Sequence, residues 1–277
     1  MQPSLERRAV RAAVSTGIAL GLPVDDATVV QSSNRIAVHL TPCDTLARVA
    51  PVGHGAAAAF ELGVARALAE RGGPLALLDR RVPAAVQVRD GFAITLWTYH
   101  APVPPAAVAP AEYALALRRM HAAMAGVQIA APHVTDRVAT AAALVANRAR
   151  TPALAEAERE LLARTLARFG RAVGRPGVRE QLLHGEPHPG NLLRTRDGLL
   201  FVDLETACRG PVEFDVAHAP EAVGDAYPAL DRALLETCRL LVLAMVTTWR
   251  WDREDALPDG RRLRVEWLRR LEEAVER

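Results

Sequence analysis

The chain has 277 residues, of which 50% are hydrophobic and 24% are charged, with 34 basic side chains against 32 acidic ones. The apolar share is large enough to fill a sizeable core, which excludes a disordered chain. A net charge of +2 lacks the basic excess of a general nucleic-acid binder. Every basic residue is arginine, which excludes chemistry that needs a lysine amine, such as Schiff-base formation.

The cysteines and the apolar stretches indicate where the protein works. Cys43, Cys208 and Cys238 stand far apart, so they predict neither a disulfide framework nor a CxxC metal pair. The apolar stretch at residues 12–22 is interrupted by polar residues and predicts a surface helix rather than a signal peptide. The uncharged run at 240–249 is too short to cross a bilayer. We therefore expect a soluble, cytoplasmic protein that has no membrane partner.

The first hundred residues are rich in alternating strand patterns separated by turn signals. One helix interrupts them and ends at Gly72-Gly73-Pro74. The predicted strands cover residues 28–30, 35–40, 46–50, 86–88 and 92–99, and the predicted helix covers residues 56–71. The proline-rich segment 101–105 that follows is the strongest linker signal in the chain.

Beyond this linker the chain is rich in alanine, leucine and arginine at helical spacing. The predicted helices cover residues 106–126, 135–150 and 153–169, with a single hairpin at 191–193 and 199–203 and helix again to the end. The pattern predicts a bilobal α+β protein. We expect a domain of residues 1–100 and a domain of residues 101–277.

The densest group of reactive side chains lies in the segment 184–191, which reads His-Gly-Glu-Pro-His-Pro-Gly-Asn. His184 and His188 have the spacing of zinc ligands on a helix, but the glycines and prolines between and after them exclude a helix. The His-x-Glu start is also found in zinc deaminases, but no Pro-Cys-x-x-Cys follows. We therefore reject both zinc sites.

The same segment offers oxygen ligands instead. A rigid loop carries the carboxylate of Glu186 and the amide of Asn191, and a strand that follows ends at Asp203. This set suits phosphoryl transfer, in which one carboxylate orients the attacking hydroxyl and the other oxygens hold Mg²⁺ on the nucleotide phosphates. The structural alternative is a polar loop between two helices whose histidines are satisfied locally.

These residues resemble the aminoglycoside phosphotransferase family of small-molecule kinases, whose catalytic loop reads H-G-D-x-x-x-x-N and whose next strand bears D-x-E. The matching segments here are 184–191 and 203–205, and 210–217 resembles the family segment in which an aspartate braces the loop. The resemblance implies an α+β, bilobal protein-kinase-like fold. A small N-terminal antiparallel sheet lobe with one helix would precede a larger helical C-terminal lobe that carries the catalytic loop and the substrate site.

The resemblance also implies roles for particular residues. The implied catalytic residues are Glu186, His184 and His188, and the implied Mg²⁺ ligands are Asn191, Asp203 and Glu205. Glu186 stands where the family has aspartate. Its extra methylene moves the carboxylate by about an ångström, which is costly in rate unless the loop compensates.

In the small lobe the resemblance implies a nucleotide site for ATP or GTP. The implied contacts are Ser33 and Asn34 in a phosphate-covering turn, Arg48 in place of the usual lysine, Glu61 as its ion-pair partner, and Trp97 and Tyr99 at the nucleobase. Arginine binds phosphate bidentately, but its wide planar guanidinium is not interchangeable with the compact ammonium of lysine. An exposed strand arginine and a solvated helix glutamate are the structural alternatives, and Trp97 also fits a plain core position.

The substrate is indicated only by charge. Twelve acidic and five basic residues lie between Asp203 and Asp259. An acidic lining would attract a cationic substrate such as an aminoglycoside, whereas the alternative is an ordinary solvated face. The candidates are Glu213, Glu221, Asp225, Asp231 and the acidic residues of 252–259, with Trp249 and Trp251 as stacking surfaces.

The sequence thus predicts a Mg²⁺-dependent phosphotransferase that acts on a hydroxyl of a small molecule. An antibiotic is the candidate substrate. Two alternatives stay open. A nucleotide-binding pseudokinase is suggested by the departures at Arg48 and Glu186, and the same scaffold serves kinases of metabolic sugars and amino alcohols. No nucleic-acid partner is expected, and the oligomeric state stays open.

Overall fold

The computed structural model describes residues 3–32, 35–103 and 107–276. Ser33 and Asn34, which were predicted to cover a phosphate, lie outside these described residues. The chain forms two units. The first comprises Met1–Ala107, Ala122–Ile129 and Gly190–Thr206, and the second comprises Val108–His121, Ala130–Pro189 and Ala207–Arg277. The chain thus returns to the first unit after entering the second.

A five-stranded antiparallel sheet forms the centre of the first unit, with the strand order β1-β2-β3-β5-β4. Its strands are β1 (Val24–Ser32), β2 (Ile36–Pro42), β3 (Thr45–Pro51), β4 (Gln87–Arg89) and β5 (Phe92–Thr98). Residues that alternate along β2 and β3 are buried with those of helix α1 (Pro3–Ala19) in one apolar core. The other face of these strands carries Ala37, Leu46 and Arg48, which line a cavity.

Helix α2 (Gly55–Leu68) and the hairpin of β7 (Leu192–Thr195) and β8 (Gly198–Phe201) complete the first unit. Helix α2 buries Leu62, Val64 and Leu68, as its helical spacing predicts. Phe201 is fully buried at the end of β8 and forms a bridge with Leu75. The hairpin therefore ends next to the sheet of its own unit, although about a hundred residues separate the two in sequence.

The second unit is mainly helical. Its helices are α3 (Pro110–Met124), which begins in this unit, α4 (Val134–Ala146), α5 (Glu156–Val173), α6 (Val212–Val216), α7 (Glu221–Ala226), α8 (Arg232–Trp251) and α9 (Gly260–Val275). Apolar residues of α4, α5, α8 and α9 share one buried core. In the described part of the chain, no helix combines the length and the apolar composition that a bilayer crossing requires.

Two short strands of the second unit were missed by the sequence patterns, which predicted only one hairpin beyond the linker. Strands β6 (Gln181–Leu183) and β9 (Cys208–Gly210) pair with each other in an antiparallel sheet. Three residues are too few to show an alternating pattern, so only the tertiary pairing defines them. Strand β6 ends directly before the segment 184–191, and β9 ends shortly before Asp215.

Candidate active site

The catalytic-loop segment is held by one buried carboxylate. Asp215 of α6 is fully buried, and its oxygens accept the backbone N–H groups of His184 at 2.9 Å and Gly185 at 2.8 Å. Gly185 has a φ of 91°, a left-handed conformation that favours glycine. The H-G start of the motif therefore has a conformational reason, and Asp215 has the bracing contact that the resemblance implied.

His121 of α3 lies behind Asp215 and was missed by the sequence analysis. Its Nε2 lies 3.1 Å from Asp215 Oδ2 and its Nδ1 lies 2.8 Å from the Tyr227 hydroxyl. Burial by itself raises the pKa of Asp215, but His121 and the N–H of Gly185 outweigh it and leave the pKa lowered. The loop is thus braced by a charged carboxylate. No sequence signal joins these residues, because 94 positions separate His121 from Asp215.

Glu186 is paired with an arginine that the sequence analysis also missed. Arg137 of α4 forms an ion pair with the Glu186 carboxylate, and its Nη1 donates to the carbonyl oxygen of Gly185 at 2.8 Å. The Glu186 side chain keeps 29% of its surface exposed. One guanidinium therefore fixes both the loop backbone and the direction of a carboxylate that solvent can reach.

The histidines near this loop differ in environment. His184 is fully buried and its Nδ1 lies 3.4 Å from the N–H of Glu186, whereas His188 is half-buried. A third histidine, His218, follows α6 and packs edge-on against Phe214. Burial, with the charge of Arg137 as the next cause, lowers the pKa of His218 to about 3. His218 is therefore neutral at physiological pH.

In the first unit, Arg48 of β3 lies between two carboxylates. It forms an ion pair with Glu61 of α2, which is almost fully buried, and its Nη2 lies 2.9 Å from Asp203 Oδ1. Burial by itself lowers the pKa of the Arg48 guanidinium, but Glu61 and Asp203 outweigh it and raise the pKa. Arg48 is thus a charged residue of an interior cluster and not an exposed strand arginine.

A second arginine completes this group, which we call the charge cluster: Arg35, Arg48, Glu61, Asp203 and Glu205. Arg35 Nη1 lies 3.0 Å from Glu61 and 3.9 Å from Asp203, and Arg35 Nη2 contacts Glu205. The register of the sheet explains its position. Ala37 pairs with Arg48 across β2 and β3, and Arg35 stands two residues before Ala37, so it shares that face of the sheet.

Asp203 has the features of a functional residue. Its φ is 73°, which is left-handed and strained for a residue other than glycine. Its Oδ1 is buried and accepts no well-directed hydrogen bond from the described residues, although Arg48 is close to it. The N–H of Val202 donates to the carbonyl oxygen of Asn191 at 3.0 Å, so both predicted ligands lie at one end of the hairpin.

These residues fit a magnesium ion by their chemistry. Asn191 and Asp203 line the same cavity, and Asp203 Oδ1, which faces Arg48 at 2.9 Å, accepts no well-directed hydrogen bond from the described residues. Carboxylate and amide oxygens are the protein ligands that Mg²⁺ takes. Glu205, the third predicted ligand, is paired with Arg35 in this structure.

Two adjoining cavities lie within the first unit. The larger one, about 260 Å³, is mainly apolar and includes Trp97, Tyr99, Phe201 and Leu204 in its lining. The smaller one, about 140 Å³, is lined by Arg35, Arg48, Asp203, Glu205, Gln31, Ile36 and Ala37. Gln31, Ala37, Arg48 and Asp203 border both. The larger, mainly apolar cavity thus continues into the charge cluster.

Two aromatic residues of the larger cavity, Tyr99 and Trp97, are fixed by contacts with neighbouring side chains. Tyr99 stacks on His39 with ring centroids 3.5 Å apart. Trp97 is nearly fully buried, and its Nε1 donates to the Thr95 hydroxyl at 2.9 Å. Both residues are therefore fixed elements of the cavity wall, and Trp97 is at the same time a core residue.

The structure brings the predicted residues together in two groups. Arg48 contacts Glu61 and Asp203 in the charge cluster, Glu205 joins the cluster through Arg35, and Asn191, Trp97 and Tyr99 line the adjoining cavity. His184, Glu186 and His188 form a separate group in the loop of the second unit.

The acidic face that was predicted for the substrate is largely neutralised. Glu213 is buried and accepts the backbone N–H of Asp231, which caps the N-terminus of α8. Both residues therefore stabilise the start of this helix. Trp251 is buried under Arg264, so the expectation that it offers a stacking surface is wrong. The remaining described ion pairs of this face join Glu221 and Glu236 to Arg239, Asp225 to Arg232, Asp252 and Glu254 to Arg150, Asp255 to Arg250 and Asp259 to Arg262.

This sheet unit with its charge cluster and this helical unit with its braced loop define a protein-kinase-like phosphotransferase fold. Solved structures of that class resemble it. The amicoumacin kinase bound to AMP-PNP and Ca²⁺ is 11% identical, with a TM-score of 0.74 over 99% of this chain and 96% of that one. The GDP complex of aminoglycoside 2'-phosphotransferase-IIIa is 15% identical, with a TM-score of 0.64 over 99% and 98%.

A third similar structure is a choline/ethanolamine kinase family protein from Mesorhizobium loti, 16% identical, with a TM-score of 0.66 over 99% and 95%. The family model of the phosphotransferase enzyme family matches residues 30–254. The chain belongs to this family. No curated protein sequence matches the chain.

Proposed function

We propose that this protein is a Mg²⁺-dependent kinase that transfers the γ-phosphate of ATP or GTP to a hydroxyl of a small molecule. The observation that carries the proposal is the continuity of the two cavities of the first unit. An apolar space beside Trp97 and Tyr99 suits a nucleobase. The charge cluster next to it, with Arg48, suits a polyphosphate.

The metal would be held by Asn191 and Asp203. Bound there, Mg²⁺ neutralises the charge that develops on the transferred phosphoryl group. Arg48 binds a phosphate oxygen, and Glu61 keeps the Arg48 guanidinium in the cavity. The strained backbone of Asp203 directs its carboxylate toward the same space.

Glu186 accepts the proton of the attacking hydroxyl in this proposal. It is longer than the aspartate of the family loop, and Arg137 compensates by holding the carboxylate and the backbone of Gly185 together. Asp215 and His121 keep the loop in place. His184, being fully buried, acts on the shape of the loop, and the half-buried His188 lies beside Glu186 in the chain.

Antibiotics with hydroxyl groups are the first substrate class to test, in a cytoplasmic role of antibiotic inactivation. Two of the similar structures carry antibiotics in their names, amicoumacin and aminoglycosides. Amino alcohols are the second class, because the choline/ethanolamine kinase family protein is similar over nearly the whole chain.

The test is phosphate transfer by the purified full chain, measured with ATP and with GTP, with Mg²⁺ and with EDTA, on a panel of antibiotics and amino alcohols. We expect Mg²⁺-dependent transfer from at least one donor to at least one acceptor. The Asp203→Asn variant should bind Mg²⁺-nucleotide more weakly, because it loses a charged ligand. Nucleotide binding without any transfer would indicate a pseudokinase, and no nucleotide binding would contradict the proposal.

A further inference from the structure

Arg35 has no counterpart in the kinase motifs of the chain, yet it lies at the centre of the charge cluster. Its side chain is only 12% exposed and contacts Glu61 and Glu205. It lines the smaller cavity on the same face of the sheet as Arg48. Two guanidinium groups therefore border a space in which the motif needs only one.

The charges of the cluster explain why a second cation matters there. Glu61, Asp203 and Glu205 place three carboxylates around the two arginines. Arg48 already forms ion pairs with Glu61 and Asp203. Without Arg35, a polyphosphate that enters the cavity would meet these three carboxylates with a single guanidinium against them, and repulsion would oppose its binding.

We propose that Arg35 is a second phosphate-binding residue, which contacts the polyphosphate of the nucleotide together with Arg48. The inference rests on the proposed nucleotide site. A guanidinium has donors on several nitrogens in a fixed plane, so Arg35 holds a phosphate oxygen while Glu61 and Glu205 keep it oriented. Arg35 contributes affinity for the phosphates that does not require the metal.

The experiment measures binding to the full chain in EDTA by calorimetry, with ADP or GDP and with the matching nucleoside as probes. In Arg35→Gln we expect the dissociation constant of the diphosphate to rise about ten- to a hundred-fold, because a charge-assisted hydrogen bond is lost. The nucleoside should bind as tightly as it does to the parent. Arg35→Lys should recover part of the loss, because the ammonium keeps the charge.

Arg66→Gln is the matched control, since Arg66 is an exposed arginine of α2 that does not line either cavity. It should leave both probes unchanged. An equal loss for diphosphate and nucleoside in Arg35→Gln would make Arg35 a structural residue only and overturn the inference. An unchanged diphosphate affinity would also overturn it. If the parent binds neither probe, the proposed nucleotide site itself is wrong.

Discussion

At the scale of single residues, the resemblance predicts two departures from the family motif, and the structure shows a partner for each. Glu186 takes the place of an aspartate and is held by Arg137. Arg48 takes the place of a lysine and uses its two terminal nitrogens on two different carboxylates, Glu61 and Asp203. The longer side chain of Glu186 is thus held by Arg137, which the motif does not contain, whereas Arg48 uses two partners that the resemblance already implied.

Glu186→Gln tests the loop carboxylate. We expect phosphate transfer to fall by about a hundred- to ten-thousand-fold, because an amide cannot accept the proton of the hydroxyl. Nucleotide affinity should stay unchanged, since Glu186 does not line the cavities of the first unit. Glu160→Gln on the exposed surface of α5 is the control. Undiminished turnover in Glu186→Gln would remove this residue from the reaction.

Arg48→Met tests the phosphate contact of β3. The variant keeps an unbranched side chain but loses the guanidinium, which lies 5.8 Å from the centre of the Trp97 ring, so we expect the nucleotide KM to rise about ten- to a hundred-fold. Arg48→Lys should lie between parent and Arg48→Met, because one ammonium cannot occupy both positions of the guanidinium fork. A steady-state titration of the donor measures this. An unchanged KM in Arg48→Met would contradict the role.

At the scale of elements, buried polar contacts connect helices that the apolar core alone would leave imprecisely placed. Arg159 of α5 is buried, and its guanidinium donates to the carbonyl oxygens of Val145, Thr151 and Leu154. Val145 lies in the last turn of α4, where carbonyl oxygens lack partners inside the helix, and Thr151 and Leu154 lie in the connection to α5.

Arg159→Met should therefore destabilise the fold by about 2–3 kcal/mol, because buried carbonyl groups lose their donors. Urea denaturation of the purified protein measures the change. Arg164→Met, at an exposed position of the same helix, should change stability by no more than about 0.5 kcal/mol. Equal effects of the two substitutions would show that the buried contacts of Arg159 contribute nothing.

At the scale of the whole molecule, the buried groups around the loop make stability depend on pH. The pKa of His218 is about 3 in the folded chain, below its ordinary value of 6.5. Between these values the unfolded chain binds a proton that the folded chain does not, so stability falls as the pH falls below 6.5. Asp215, whose pKa is also lowered, adds a further loss below about pH 4.

His218→Gln isolates the first of these effects. The stability difference between parent and variant should be constant above pH 7 and should shrink as the pH is lowered from 6.5 to 5, because only the parent loses stability by this protonation. Urea denaturation at each pH measures both proteins. A difference that does not change over this range would contradict a neutral His218 in the folded chain.

Much of the fold was predictable because its signals are local. The predicted strand 46–50 lies within β3, the predicted strand 35–40 overlaps β2 from Ile36 onward, and the predicted hairpin at 191–193 and 199–203 overlaps β7 and β8. Asp203 and Glu186 follow from short motifs with fixed spacing. The fold class was confirmed for the same reason, since strand and helix periodicity extend over long segments.

The sequence by itself determined the fold class and the family, and it predicted that the segment 184–191 carries the chemistry, because periodicity and motif spacing are properties of neighbouring residues. Only the tertiary structure decided that Arg35 joins Arg48, that Arg137 holds Glu186 and that His121 supports Asp215. Each of these partners is distant in sequence, and electrostatic attraction acts through space and not along the chain. The chain's arginines are too numerous for sequence alone to tell these from the exposed ones.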